Sequence, residues 1–153
     1  TGHTYLYKLE DGKLMLLLQR RSKNKDSFAG CLDTSSAGHV EFGSDFAETA
    51  AKELYEELRI EVSPTELELL FIQRICHRNT FHGEEFIDNE HNCIYALKGD
   101  FHVDILDLQE SEVSEVVWMD ADNIIFSLES DSCDICIDSE EIRKVIAVLK
   151  DKK

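Results

Sequence analysis

The chain has 153 residues, with 16 Lys and Arg against 32 Asp and Glu, and a formal net charge of −16. That length suffices for one domain with its own core. The acidity argues against a long nucleic-acid footprint, which needs a basic surface, and no stretch reaches the ~18 apolar residues of a membrane-spanning helix.

In chain order, Thr4-Tyr5-Leu6-Tyr7 reads as a short strand, Glu10 to Lys13 as a turn and Leu14 to Leu18 as a buried strand. Gln19-Arg20-Arg21-Ser22-Lys23-Asn24-Lys25 follows, a dense basic patch read as a loop. A cationic loop at a strand end suits a diphosphate, because arginine and lysine donors match phosphate oxygens. A solubilising loop is the plain alternative.

Gly38 to Ile60, GHVEFGSDFAETAAKELYEELRI, organises the rest. A glycine-bearing loop leads to Asp45 as N-cap, with Glu48 at capping-box spacing. Ala47, Ala50, Ala51, Leu54 and Leu58 recur at helical spacing and make one apolar face. Glu53, Glu56 and Glu57 stand at i, i+3 and i+4, so they share a face beside that stripe. Three carboxylates so close repel each other. Lys52 at i±4 is a weak remedy, since an exposed pair contributes only about 0.3–0.5 kcal/mol. A hard divalent cation, Mg²⁺ or Mn²⁺, is a stronger one. A solvated acidic face is the bland alternative.

Downstream, Leu67 to Ile75 is apolar enough for a core strand, Cys76 to Glu85 reads as a polar loop, and Phe86 to Lys98 resumes apolar character. Glu112 to Met119 looks like another strand. A short helix with Ile124, Ile125 and Leu128 follows, then a loop over 129–137. Asp138 and Glu141 repeat capping-box spacing ahead of a last helix with Ile142, Val145, Ile146 and Leu149 inward. The layout is α/β, with helices packed about a sheet.

Five cysteines, Cys31, Cys76, Cys93, Cys133 and Cys136, form no regular framework. The odd count points to a reducing, cytoplasmic setting. Cys133-Asp134-Ile135-Cys136 has no second pair to complete a zinc site. No signal peptide is visible, and the chain starts at Thr1 without a methionine, which reads as one domain over 1–153 missing natural N-terminal residues.

The organising stretch resembles the Nudix box, G-x5-E-x7-R-E-U-x-E-E-x-G-U, with U aliphatic. Gly38, Glu53, Leu54, Glu56, Glu57 and Ile60 match, while Ser44, Lys52 and Arg59 replace a glutamate, an arginine and a glycine. Arg59 then fills a spot where glycine often serves as a left-handed cap. The resemblance implies a Nudix-type α/β/α sandwich on a mixed β-sheet. It implies metal-dependent cleavage of a phosphoanhydride in a nucleoside diphosphate derivative or similar diphosphate. The cation ligands are then Glu53, Glu56 and Glu57, the base Glu57 or Glu90, with Glu53 also in the catalytic set, and the substrate contacts Arg20, Arg21, Lys25 and Gly38.

Within that superfamily the chain is most similar to the isopentenyl-diphosphate isomerase-like branch, on Arg20, Arg21, Lys25, Gly30, Gly38-His39 and Asp88-Asn89-Glu90-His91. The resemblance suggests a second metal site of His3, His39, Asp88 and Glu90, or a polar pocket wall inherited without its metal. The isomerases carry a catalytic cysteine where this chain has Ala37, and a methyl group moves no proton. Hydrolysis is therefore preferred to isomerisation, with a nucleotide-diphosphate-binding sensor as a further alternative. The expected partner is a small-molecule diphosphate, with no nucleic acid polymer and no membrane, in a monomer or homodimer.

Overall fold

The structure, a computed structural model, describes residues 1–130 and 134–152, without the side chains of residues 77, 79, 81, 86 and 88. Strands β1 (Gly2–Glu10) and β2 (Lys13–Arg21) turn about Asp11 and Gly12, whose φ angles are 50° and 76°. Two central residues with positive φ match the right-handed twist of the strands they join. The strand β2 outruns its apolar core: Gln19, Arg20 and Arg21 belong to it, so the loop expected from Gln19 begins only after Arg21.

Short strands β3 (Leu32–Asp33) and β4 (Ser36–Gly38) precede helix α1 (Phe46–Leu58). Strand β4 pairs with residues 2–4 of β1, and β2 pairs with residues 6–10. Ser35 closes the junction: its Oγ accepts from Leu6 N–H at 2.8 Å and donates to Leu17 C=O. Asp45 caps α1, its carboxylate accepting from Ala47 and Glu48 N–H at 2.9 and 3.0 Å. Arg59 closes the helix at φ 56°, ψ 29°, the left-handed conformation expected at that position.

Strands β5 (Glu68–Phe81) and β6 (Glu84–Lys98) form one long hairpin, not a strand, a loop and a strand. His82 and Gly83, at φ 52° and 83°, make its two-residue turn. Only Cys93 to Lys98 of β6 pair with β1, so the far part of the hairpin leaves the sheet. Arg74, Arg78, Glu84 and Glu85 there are exposed. The stretch is polar in composition and shows no apolar alternation, which is why composition read it as loop.

Strand β7 (Val113–Asp120) pairs with β2, and helices α2 (Ala121–Leu128) and α3 (Ser139–Lys150) follow. The sheet order is β3-β2-β1-β6-β5, with β4 beside β1 and β7 beside β2. The pairing of β1 with β6 is parallel and the others are antiparallel, so the sheet is mixed. Alternation along β1 and β2 sends Leu6 and Leu17 to a core with Ala50, Leu54 and Leu58 of α1. Tyr5, Tyr7, Leu16 and Leu18 face the opposite core with Ile124, Ile142 and Val145 of α2 and α3. This is the expected α/β/α sandwich. Among the described residues no helix is long and apolar enough to cross a membrane.

Candidate active site

The apolar stripe of α1 fixes where its acids go. Burying Ala50, Leu54 and Leu58 turns Glu53 and Glu57 toward β4, while Glu56 stays nearer solvent. Glu53 lies so close to the β4 backbone that a Cβ on Gly38 would sit 2.3 Å from its Cγ and 2.6 Å from its Oε1. Only a residue without a side chain admits that approach. Glu57 is 7 % exposed, and Gln19 Nε2–H donates to its Oε2 at 3.1 Å.

Burial pushes the Glu57 carboxyl up to about 7, and the neighbouring Glu53 charge pushes the same way. Glu53 is itself raised, first by burial and then by the Glu56 and Glu112 charges, with Lys52 opposing. Both groups are acids held near their own kind, so a cation would relieve them. Lys52 reaches Glu56 at 3.6 Å, on the exposed side.

Glu53, Glu56 and Glu57 line one cavity of about 400 Å³ with Gly38, Lys25 and Glu112. A neighbouring cavity of about 230 Å³ shares Glu57, Gly38, Lys25 and Glu112 and adds Gln19, Arg21 and Asp33. Among the described residues no three His, Cys, Asp or Glu side chains are already converged to hold a metal. The donor set nonetheless fits a hard divalent cation, being the carboxylate oxygens of Glu53, Glu56 and Glu57 around an open space.

The basic residues divide by strand alternation. Arg21 shares a cavity with Gln19, two residues away, and its Nη1 donates to Asp33 Oδ2 at 3.1 Å. Arg20 is committed elsewhere, to Glu115 at 2.6 Å, Asp134 at 3.1 Å and the Gly30 carbonyl at 2.9 Å. It lines neither cavity. Lys25 reaches both and is ion-paired to Glu112.

Of the four residues suggested as a second metal site, the three described, His3, His39 and Glu90, line no cavity in common. His39 lines both acidic cavities, and its Nδ1 is 3.4 Å from Thr1 Oγ1. Glu90 lines an adjoining cavity that also includes His39, Phe42 and His91. His3 lines a cavity on the α3 side, its Nδ1 2.8 Å from Glu141 Oε1. The Asp88 side chain and Cys133 lie outside the described residues. Cys136 is pushed up to about 12, first by burial, which makes it inert rather than redox-active.

Glu112 and Gln19 escaped the sequence reading. Glu112 is one acid among 32 and precedes β7 in an ordinary acidic run. Glu141 was misread as half of a capping box. Asp138 does cap α3, accepting from Glu141 N–H at 2.9 Å, but the Glu141 carboxylate turns inward and accepts from Tyr5 Oη–H at 2.6 Å.

Comparison with known proteins supports the same reading. The chain is 32 % identical over 130 residues to an uncharacterised Nudix hydrolase of Clostridium acetobutylicum, covering 85 % of this chain and 61 % of that one. It thus spans about three-fifths of that relative's length. Its fold matches a Caenorhabditis elegans Ap4A hydrolase in a binary complex, with TM-score 0.62, 18 % identity and 97 % and 95 % of the two chains covered. It also matches the NUDIX domain of Shewanella oneidensis NrtR complexed with ADP ribose, with TM-score 0.57, 15 % identity and 97 % and 86 % covered. The NUDIX domain family matches residues 5–133, and the chain belongs to that family.

Proposed function

We propose that the protein is a pyrophosphohydrolase that cleaves a phosphoanhydride in a nucleoside diphosphate derivative, with Mg²⁺ or Mn²⁺ as cofactor. The observation that carries this is the shared cavity, which Glu53, Glu56 and Glu57 of α1 line together with Lys25 and Gly38. A divalent cation bound there supplies Lewis acidity toward phosphate oxygens and toward a water. Glu53, Glu56 and Glu57 hold it. Arg21 and Lys25, which line the cavities, neutralise the spectator phosphate, and Arg20, which lines neither, takes no such role.

Glu112 takes the place first given to Glu90, because it borders the same cavities as the helix acids. Glu112 or Glu57 accepts the proton of the attacking water. The water oxygen forms a new bond to phosphorus, the bridging phosphorus–oxygen bond breaks, and the leaving phosphate departs as an anion. The likeness to the isomerase-like branch rests on sequence marks alone, and Ala37 in the cavity wall offers no proton. Free Cys31, Cys76, Cys93 and Cys136 agree with a reducing, cytoplasmic setting.

The test is a screen of nucleoside diphosphates, nucleotide sugars and prenyl diphosphates with Mg²⁺ and with Mn²⁺, scoring both phosphate-bearing products by chromatography. Glu57→Gln should lower kcat by about 100-fold or more, and a fall of the same order in Glu112→Gln, as loss of a general base gives, would assign the proton to Glu112. Glu90→Gln should stay within a few-fold of wild type. Turnover by Glu57→Gln near the wild-type rate would end the assignment. Binding without any turnover, across both metals, would favour the sensor reading that Ser44 in place of a glutamate invites.

A further inference from the structure

Gln19 is an amide where the strand pattern asks for a hydrocarbon. Strand β2 sends Leu17 into the core with Leu54 and Leu58 of α1, and Gln19 follows two residues later on the same face. In register it stands between Asp33 of β3 and Val116 of β7, with a strand on either side. It is 5 % exposed. An amide buried there without a partner is costly, so what it meets decides whether it can stay. It meets Glu57: Nε2–H donates to Oε2 at 3.1 Å, across 38 positions of sequence.

Of the three helix acids in the cavity, Glu57 alone is buried. Burial pushes its carboxyl up, while the Ser36 hydroxyl, the Gln19 amide and the Ala37 N–H hold it down. Among the described residues no hydrogen bond of regular geometry reaches Ser36 Oγ, so the side-chain bond of defined length comes from Gln19. Gln19 is also neutral. A lysine or arginine in its place would hold the carboxylate but bring positive charge to the wall where a cation is to sit. An amide orients the acid and leaves its charge for the metal. An ionised carboxylate offers about four acceptor positions, so one amide bond leaves others for the ion.

We propose that Gln19 is a positioning residue of the cation site: its amide clamps the Glu57 carboxylate in the orientation a divalent ion needs, and it acts on the ion only through Glu57. The proposal rests on the reading of Glu57 as a ligand. Groups hydrogen-bonded to metal ligands commonly govern affinity by about 10–100-fold, because a ligand that swings freely must be ordered again at each binding event.

The experiment is Mn²⁺ titration of the full chain, read by the electron paramagnetic resonance signal of the free ion, which needs no turnover. Wild type, Gln19→Met, Glu57→Gln and the double variant close a cycle. Methionine matches glutamine in length, packs readily in a core and has no N–H. With Glu57 present, Gln19→Met should weaken Mn²⁺ binding about tenfold or more. Beside Glu57→Gln the same change should alter affinity by less than about twofold, because no ligand is left to position. Ions held loosely by the surface of so acidic a chain occur in all four proteins and cancel. Gln19→Asn keeps the amide but withdraws it by a methylene. It should lose affinity as Gln19→Met does, and it serves where the methionine variant fails to fold. A loss of equal size in both Glu57 backgrounds, or wild-type affinity in Gln19→Met or Gln19→Asn, would overturn the proposal. A wild type that takes up no Mn²⁺ would overturn the metal reading and this proposal with it. A chain that shows the coupling yet cleaves no diphosphate would refute the pyrophosphohydrolase and leave the role of Gln19 standing.

Discussion

Gly38 shows how one absent side chain sets a site. The Glu53 carboxylate occupies the space a Cβ would need, at 2.3 Å from Cγ. Gly38→Ala must push Glu53 off β4, and misplacing a catalytic group by ~1 Å costs on the order of 100-fold. The expected result is a fall of that order in kcat/KM for phosphoanhydride cleavage, with circular dichroism unchanged. An alanine variant as active as wild type would show that Glu53 works from elsewhere. Gln19 and Arg21 make the complementary point. Two residues apart on β2, they reach one cavity, whereas Arg20 between them turns to Glu115 and Asp134. A composition reading sees one basic patch, but a pleated strand sorts it.

At the scale of the element, α1 is a helix with a sound start and a strained end. Asp45 satisfies two of the open N–H groups at its N-terminus. At the other end Arg59 holds φ 56°, and its N–H donates to the Tyr55 carbonyl at 3.0 Å. A β-carbon in that conformation costs about 1–2 kcal/mol, part of which glycine returns through a freer unfolded chain. The Arg59–Asp107 pair, at 3.7 Å and exposed, adds little. Arg59→Gly should therefore raise the unfolding free energy by about 0.5–1 kcal/mol in urea denaturation. A loss of stability would mean that Arg59 contacts outweigh its backbone strain. The β5–β6 hairpin teaches a different lesson: the His82-Gly83 turn sets its register, and its strands stay paired beyond the part that joins β1.

For the whole molecule, stability and function pull apart at Glu57. Its carboxyl titrates at about 7 when folded, by burial, against an ordinary value of 4.5. Between those values the folded chain binds more protons than the unfolded one, so stability falls as pH rises. The contribution is fully present below about pH 4.5 and is lost by about pH 7, on the order of 3 kcal/mol in metal-free protein. Urea titrations of wild type and Glu57→Gln at several pH values isolate the term from the other acids. The glutamine variant should gain on wild type as pH rises through that window, and a constant difference would rule burial out as the cause. The net charge of −16 adds general repulsion, which makes the confined cations Arg21 and Lys25 stand out in the site.

Periodicity alone determined α1, its N-cap, its buried stripe and the shared face of Glu53, Glu56 and Glu57, because helical geometry converts spacing into direction with no help from the rest of the chain. The left-handed turn at Arg59 was legible only through the resemblance, which puts a glycine at that position. The resemblance of the Gly38–Ile60 stretch supplied the sandwich. Tertiary structure alone decided that Glu112 stands beside the helix acids, that Arg20 leaves the site, that His3 joins Glu141 across 138 positions, and that Gln19 meets Glu57 across 38. Those are contacts between segments far apart in the chain. Spacing within one segment carries no information about which distant strand will lie beside it.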